Sequence, residues 1–269
     1  MYIILIPYII SAAITIWLGV AAWRRRLIPG AQLFASLSFA EGIWTLGYIS
    51  QLIAGNLDAK LFWNNVQFIG ATATPLLYLG FALEFDQTFT RPKRISWKHF
   101  APLALGLLIF IWTDTWHGLF RGQITLVTQE PFSFLVYTET PGFALYTIYA
   151  YSLIVLTTII LVARYIHASQ LFKIQTGILL VGVLITWTAS VITALHLITI
   201  ELHELVPITF GLGNLIIAWG LFRYKLFEVI PIAREYLFEH LADCVFVLDH
   251  QLVVEDMNPT AQRILGRKP

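Results

Sequence analysis

The sequence predicts an all-α membrane protein: a seven-transmembrane helix bundle with its N-terminus outside, followed by the start of a soluble α/β domain. Three observations carry that reading. Of 269 residues, 58% are hydrophobic and 12% charged, with nine Trp and a mean hydropathy of +0.73, whereas soluble domains carry roughly 25% charged residues. A bilayer core takes about 20 apolar residues per helix, and seven apolar runs are present, at approximately 2–23, 31–53, 60–84, 99–119, 141–163, 174–200 and 206–222. Past residue 222 the unbroken apolar composition gives way to mixed and then alternating patterns.

The first run has no basic residue before it, Arg24, Arg25 and Arg26 after it, and no small-residue cleavage site, so it reads as a retained anchor. Basic residues test the orientation. The loops after runs one, three and five hold Arg24, Arg25, Arg26, Arg91, Lys93, Arg94, Lys98, Arg164 and Lys173, and the tail adds Arg223, Lys225, Arg234, Arg263, Arg267 and Lys268. The other side holds Lys60 and Arg121, and fifteen against two is a strong positive-inside bias that the net charge of +1 conceals. An odd number of spans then puts the C-terminal part in the cytoplasm, in a multi-pass protein of the cytoplasmic membrane. The long outer segment is Asp114–Pro141. Its alternating stretches Ile124–Val127 and Phe132–Tyr137 predict a hairpin turning at Glu130-Pro131, a lid over the bundle.

Arg223 and Lys225 sit where a helix leaves the bilayer on its positive side. Pro231 lacks a backbone N–H and disfavours helical geometry at Ile230, so it breaks or re-aims the helix. Between Ile232 and Leu241, Ile232, Tyr236 and Leu237 share one face while Arg234, Glu235 and Glu239 turn away, the pattern of an amphipathic connector. Val245–Leu248 and Leu252–Val254 read as strands around Asp249-His250, and Asn258-Pro259 as a helix start with Pro in first position. The single cysteine, Cys244, excludes an internal disulfide.

Two resemblances follow from these residues. Asp243, Val247-Leu248-Asp249, Asn258-Pro259, Ala261 and Leu265-Gly266 together resemble the opening of a PAS domain, of which residues 242–269 supply an N-terminal fragment. The membrane part resembles the N-terminal seven-transmembrane sensor region of histidine kinases. The matching pieces are Phe62-Trp63, Gln67-Phe68-Ile69-Gly70, Pro75 and Phe81-Ala82-Leu83-Glu84 in run three, and Thr113-Asp114 with His117 after run four. Pro207 and Gly211 in run seven match too, as do Leu221-Phe222-Arg223 and Pro231-Ile232-Ala233-Arg234. Asp114 stands where Asn is usual. The resemblance implies a sensor domain over 1–222, a connector over 223–241 in which Arg223, Pro231 and Arg234 transmit the signal, and a homodimer. It also implies a kinase output acting on a response regulator; a cyclic-dinucleotide synthase fits the same tail.

Several polar and aromatic residues are candidates for binding a ligand. Glu41 lies near the middle of run two, where an ionisable group costs about 3 kcal/mol and faces the bundle interior; it reads as a ligand contact, a proton-sensitive switch or a paired structural carboxyl. Asn64 and Gln67, three apart, share a face and line an outer cavity or hydrogen-bond between helices. Trp63, Trp112 and Trp116 fall at outer boundaries, as an interfacial belt does, whereas Trp44 and Trp187 lie deeper and suit a pocket. His196, His203 and His117, with Asp114, Glu201 and Glu204, gather on the outer side, either as metal or proton sensors or as scattered loop residues. No compact metal motif, phosphate loop or nucleophile elbow is present, and every lysine lies at the edge of a run or in a loop, whereas a retinal protein requires one within the membrane.

The partners expected are the lipid bilayer and a small-molecule or membrane-dissolved signal, with no nucleic acid. The sequence names neither the signal nor a cofactor. The rival reading, a transporter or membrane enzyme with a regulatory PAS domain, needs charged or discontinuous helices around a midplane site, and only Glu41 and Pro75 fit it.

Overall fold

In the computed structural model the described residues are 3–27, 30–85, 96–129, 132–167, 170–194, 204–223, 238, 240–248 and 254–266. They fall into two compact units, Met1–Leu226 and Phe227–Pro269. The first contains α1 (Ile6–Trp23), α2 (Ala31–Ile53), α3 (Leu57–Phe85), α4 (Ala101–Trp112), the one-turn α5 (Asp114–His117), α6 (Pro141–His167), α7 (Gln170–Ala194) and α8 (Val206–Arg223). Between α5 and α6 runs a hairpin of β1 (Arg121–Gln129) and β2 (Phe132–Glu139).

Helices are forced on these stretches because a bilayer offers the backbone no hydrogen-bond partners, and a helix satisfies its own. Among the described residues four helices are long and apolar enough to cross a membrane, as Ile3–Trp23, Leu57–Glu84, Pro141–Ile166 and Lys173–Thr193. Trp97–Trp112 and Val206–Gly220 are apolar but shorter. Helix α2 has the length, 23 residues, yet falls short in hydropathy because its inner face carries Ser38, Glu41, Thr45 and Gln51.

Helices α1, α2, α3, α6, α7 and α8 pack in that cyclic order, with α8 returning to α1. Helix α4 rests on α3 and α6 through Ala104 and Leu107 against Leu76, Leu79, Tyr149 and Leu153. The α3 span is 72% buried and those of α6 and α7 28% each, so α3 is the central post and the latter two face outward. Glycines set the α2–α3 spacing. A Cβ at Gly70 would meet the Ala40 carbonyl oxygen and stand 2.6 Å from the Trp44 nitrogen, and one at Gly47 would stand 2.9 Å from Gln67 Cα. The two backbones therefore touch, as small residues permit in membrane helices.

The expected fourth run, 99–119, breaks at Trp112: Thr113 Oγ1 donates back to the Ile109 carbonyl (2.8 Å), and Gly118 takes a positive φ of 61°. This corner turns Asp114 inward. Strands β1 and β2 pair antiparallel from Ile124↔Tyr137 to Gln129↔Phe132, as the alternation predicts, and Glu130 and Pro131 lie outside the described residues. Phe132 and Phe134 pack with Leu5, Tyr8, Tyr48, Ile49 and Leu52, so the hairpin covers that end of α1 and α2.

In the second unit β3 (Phe246–Leu248) pairs antiparallel with β4 (Val254–Met257), followed by α9 (Pro259–Leu265). Asn258 caps α9: its Oδ1 accepts from Ala261 N–H (3.0 Å) and Val245 N–H (3.1 Å), while Nδ2 donates to the Asp243 carbonyl (2.9 Å). Pro259 takes the first helical position, where its missing N–H costs nothing.

Candidate functional site: a carboxylate at the head of α8 and two buried polar nodes

Glu204 stands two residues before α8 with its side chain turned into the bundle. Both carboxylate oxygens accept from Gln67 Nε2 of α3, each at 2.9 Å, and Oε2 also accepts from Trp44 Nε1 of α2 at 3.4 Å. Its backbone is held as well: the N–H donates to Tyr48 Oη (3.1 Å), and the carbonyl accepts from Tyr8 Oη of α1 (3.0 Å). The Tyr8 and Tyr48 rings are 5.0 Å apart, and Phe210 stands edge-on to Trp44 at 5.2 Å. Three helices thus converge on the residue that leads into α8. Burial holds the Glu204 carboxyl above its ordinary value, and the hydrogen bonds from Gln67 and Trp44 pull it back down. Gln67 Oε1 is buried without a partner.

One turn further on, the Ser11 hydroxyl of α1 donates to the Pro207 carbonyl (2.6 Å) and accepts from the Gly211 N–H (2.9 Å). Those two groups are four residues apart in α8, so Ser11 occupies a rung of its ladder. Gly211 is required there, since a Cβ would stand 2.9 Å from Ser11 Cα.

The second node is Arg121, whose side chain is 3% exposed. It donates from Nε and Nη2 to Asn64 Oδ1 (3.0 and 2.8 Å), from Nη2 to Asn65 Oδ1 (2.7 Å), and from Nη1 to Asp114 Oδ2 (3.4 Å). Phe120, Phe68 and Tyr137 surround the guanidinium, with centroids 5.2, 5.5 and 5.8 Å from Cζ. Burial lowers the Arg121 pKa, and Tyr137 and Asp114 oppose that shift. Asp114 also accepts the N–H groups of Phe120 (2.8 Å) and Arg121 (3.1 Å), which staples the corner after α4 to the start of β1.

The third node lies inside the bundle. Glu41 is fully buried; its Oε1 accepts from Tyr78 Oη of α3 (3.0 Å) and its Oε2 from Asn214 Nδ2 of α8 (2.5 Å). Asn214 Nδ2 also reaches Thr15 Oγ1 of α1 at 3.5 Å.

Of the residues singled out in the sequence, Trp44 and Gln67 meet at Glu204. Asn64 parts from Gln67: it donates to Gln51 Oε1 (3.1 Å) and serves Arg121 instead. Trp187 is half-buried on α7, its Nε1 buried without a partner, and it joins none of the three nodes. The donors of His117 are already engaged. Its Nδ1 lies 3.0 Å from the Leu119 nitrogen and 3.5 Å from Asp114 Oδ1, its Nε2 lies 3.0 Å from the Phe110 carbonyl, and the ring stacks on Phe110 at 4.7 Å. Among the described residues no three His, Cys, Asp or Glu side chains gather as a metal site. His196, His203, Glu201, Pro231 and Arg234 lie outside the described residues, and Arg223 is described only as the last residue of α8. Sequence reasoning missed Arg121, counted only as a loop charge, together with Tyr8, Tyr48, Tyr78 and Asn214. Isolated polar groups in apolar runs were the available signal.

The architecture defines a helical membrane domain whose last long helix is tied into its neighbours by buried polar contacts. A family model described as the N-terminal 7TM region of histidine kinase matches residues 7–231, and the chain belongs to that family, which makes this a histidine kinase sensory input region. No curated protein matches the chain.

Proposed function

We propose that the chain is the membrane-embedded sensory input module of a two-component histidine kinase, with α1–α4 and α6–α8 as seven spans, the hairpin outside and the C-terminus in the cytoplasm. The supporting observation is the Glu204 tie: Tyr8, Trp44, Tyr48 and Gln67 hold the head of α8, whose other end at Arg223 leads toward the connector. A small-molecule or membrane-dissolved signal that competes for Gln67, Trp44 or Glu204 releases that head and lets α8 shift against α1. Such a bundle needs two packings separated by a few kcal/mol, with signal contacts that differ between them. The strand–strand–helix unit after the connector acts as the start of a PAS domain in a homodimer, and the kinase output acts on a response regulator.

Cys244, exposed and the sole cysteine, gives a direct test. A membrane-impermeant maleimide should label it only after cells are permeabilised, whereas a Trp116→Cys, Cys244→Ser variant should react on intact cells, Trp116 being 86% exposed. Labelling of both sites from one side sinks the proposal. In the parent kinase Glu204→Ala should change basal autophosphorylation several-fold, and an unchanged level removes Glu204 from transmission.

A further inference from the structure

We infer that the groove between α6, α7 and α8 at the basic end of the bundle binds one anionic phospholipid, its phosphate on Lys173 and an acyl chain along α7. The groove has a volume of about 510 Å³, inside the usual range of roughly 300–1,000 Å³ for ligand pockets. Its floor is one face of α7, on which Ile174, Gly177, Ile178 and Val181 recur three or four residues apart. Tyr165 of α6 forms one wall, and Ile216 and Trp219 of α8 form the other. Glycine makes the hollow. A Cβ at Gly177 would stand 3.4 Å from Tyr165 Cε2, so that ring lies over a position with no side chain beneath it. The opposite wall is fixed by close packing: a Cβ at Gly220 of α8 would stand 2.6 Å from Ile178 Cγ2, and one at Gly182 of α7 2.7 Å from Ile217 Cγ1.

Tyr165, Ile174, Val181 and Trp219 are exposed, so the groove opens outward from the bundle. In a bilayer its default filling is a hydrocarbon tail, and the polar end decides which lipid stays. Lys173 is the charged residue in the lining, and no acidic side chain pairs with it among the described residues. It stands in the first turn of α7, where N–H groups without helical partners add partial positive charge. Tyr165 and Trp219 flank that same end, and such amphipathic rings take the headgroup level of a membrane. From Lys173 to Val181 the floor runs about 12 Å at 1.5 Å per residue, within one leaflet of a core about 30 Å thick. A free phosphate leaves the apolar floor unused, and a neutral tail leaves the cation unused. A phospholipid with net negative charge uses both, as basic pockets between membrane helices do. A zwitterionic lipid brings its own cation to the phosphate, which offsets the gain from Lys173. The inference needs only a bilayer around these helices, so it stands whether or not the signalling proposal does.

Native mass spectrometry of the full chain, released from detergent holding equimolar phosphatidylglycerol and phosphatidylcholine, tests this. One phosphatidylglycerol should be retained per chain, favoured about five-fold over phosphatidylcholine, the effect of one basic side chain at a membrane surface. Lys173→Gln should level the two lipids, and Gly177→Leu, which fills the floor, should lower retention of both. Lys98→Gln, a basic residue outside the groove, should leave the preference intact, and excess inorganic phosphate should displace nothing. Equal retention of the two lipids by the wild type overturns the proposal, as does a preference that survives Lys173→Gln. A preference lost equally in Lys98→Gln reports general surface charge and overturns it too. Displacement by inorganic phosphate makes this a plain anion site, and a lipid-free dimer makes the groove a contact between copies; either result overturns it. Should Gly177→Leu fail to fold, the comparison of Lys173→Gln with Lys98→Gln decides by itself.

Discussion

Arg121→Ala is the sharpest probe of the outer end of the bundle. The Arg121 and Asp114 side chains are 3% and 6% exposed, so their pairing escapes the solvent screening that makes surface ion pairs weak. Removing the guanidinium leaves the buried Asp114 carboxylate with its backbone donors from Phe120 and residue 121 but without its cationic partner, and takes donors from Asn64 and Asn65. Breaking a buried pair from one side costs about 3–5 kcal/mol. At about 2–4 °C per kcal/mol for a domain of this size, the melting temperature should fall by roughly 6–20 °C. Asp114→Asn, which keeps one acceptor and leaves Arg121 bonded to both asparagines, should cost less. Combining Arg121→Ala with Asp114→Asn should cost less than the sum of the two, with a coupling of about 1–3 kcal/mol. Circular dichroism melts of all four proteins in one detergent give the cycle. An Arg121→Ala loss under about 1 kcal/mol, or strictly additive single variants, would refute the reasoning, because a buried carboxylate that loses its cationic partner cannot be that cheap.

Glu204 makes a pH prediction with a definite sign. Burial raises its carboxyl above the unfolded value of 4.5, so the native chain binds that proton more tightly; the resulting stability is full below 4.5 and is lost as pH rises through the raised value. Glu204→Gln carries no such loss, and the wild-type melting temperature minus that of the variant should therefore decrease as pH rises above 4.5; a constant or increasing difference contradicts this. Gly70→Ala should cost about 1–3 kcal/mol by forcing α2 from α3, and an unchanged melt would show that the Ala40 and Trp44 backbones yield freely.

The helices were legible because lipid imposes one crude rule, apolar length, which α1, α3, α6 and α7 obey. Helix α2 shows where the rule weakens: its polar residues face neighbours, so a composition threshold penalises the very residues that build the interior. The hairpin was legible through two-residue alternation, and the Asn258-Pro259 cap through local chemistry. The site was legible only in part. Spacing placed Asn64 and Gln67 on one face of α3, yet one turn of rise sends them to different partners, Arg121 and Glu204, which lie 57 and 137 residues away in the chain. No local pattern encodes such pairings. Arg121 misled for a related reason: charge counting treats every loop cation as solvated, while aromatic rings and two asparagines had prepared a buried seat for this one.

The Ser11 hydroxyl has a consequence for how the protein is made. Helix α1 leaves the ribosome first and α8 last among the helices of the bundle, so Ser11, Thr15 and Glu41 enter the bilayer before Pro207, Gly211 and Asn214 exist. Throughout translation of the intervening residues Ser11 and Thr15 present hydroxyls whose partners lie on the final helix, and Glu41 has Tyr78 of α3 but still lacks Asn214. A nascent chain arrested before residue 207 should therefore be recognisable to membrane quality control, and only completed molecules would be spared.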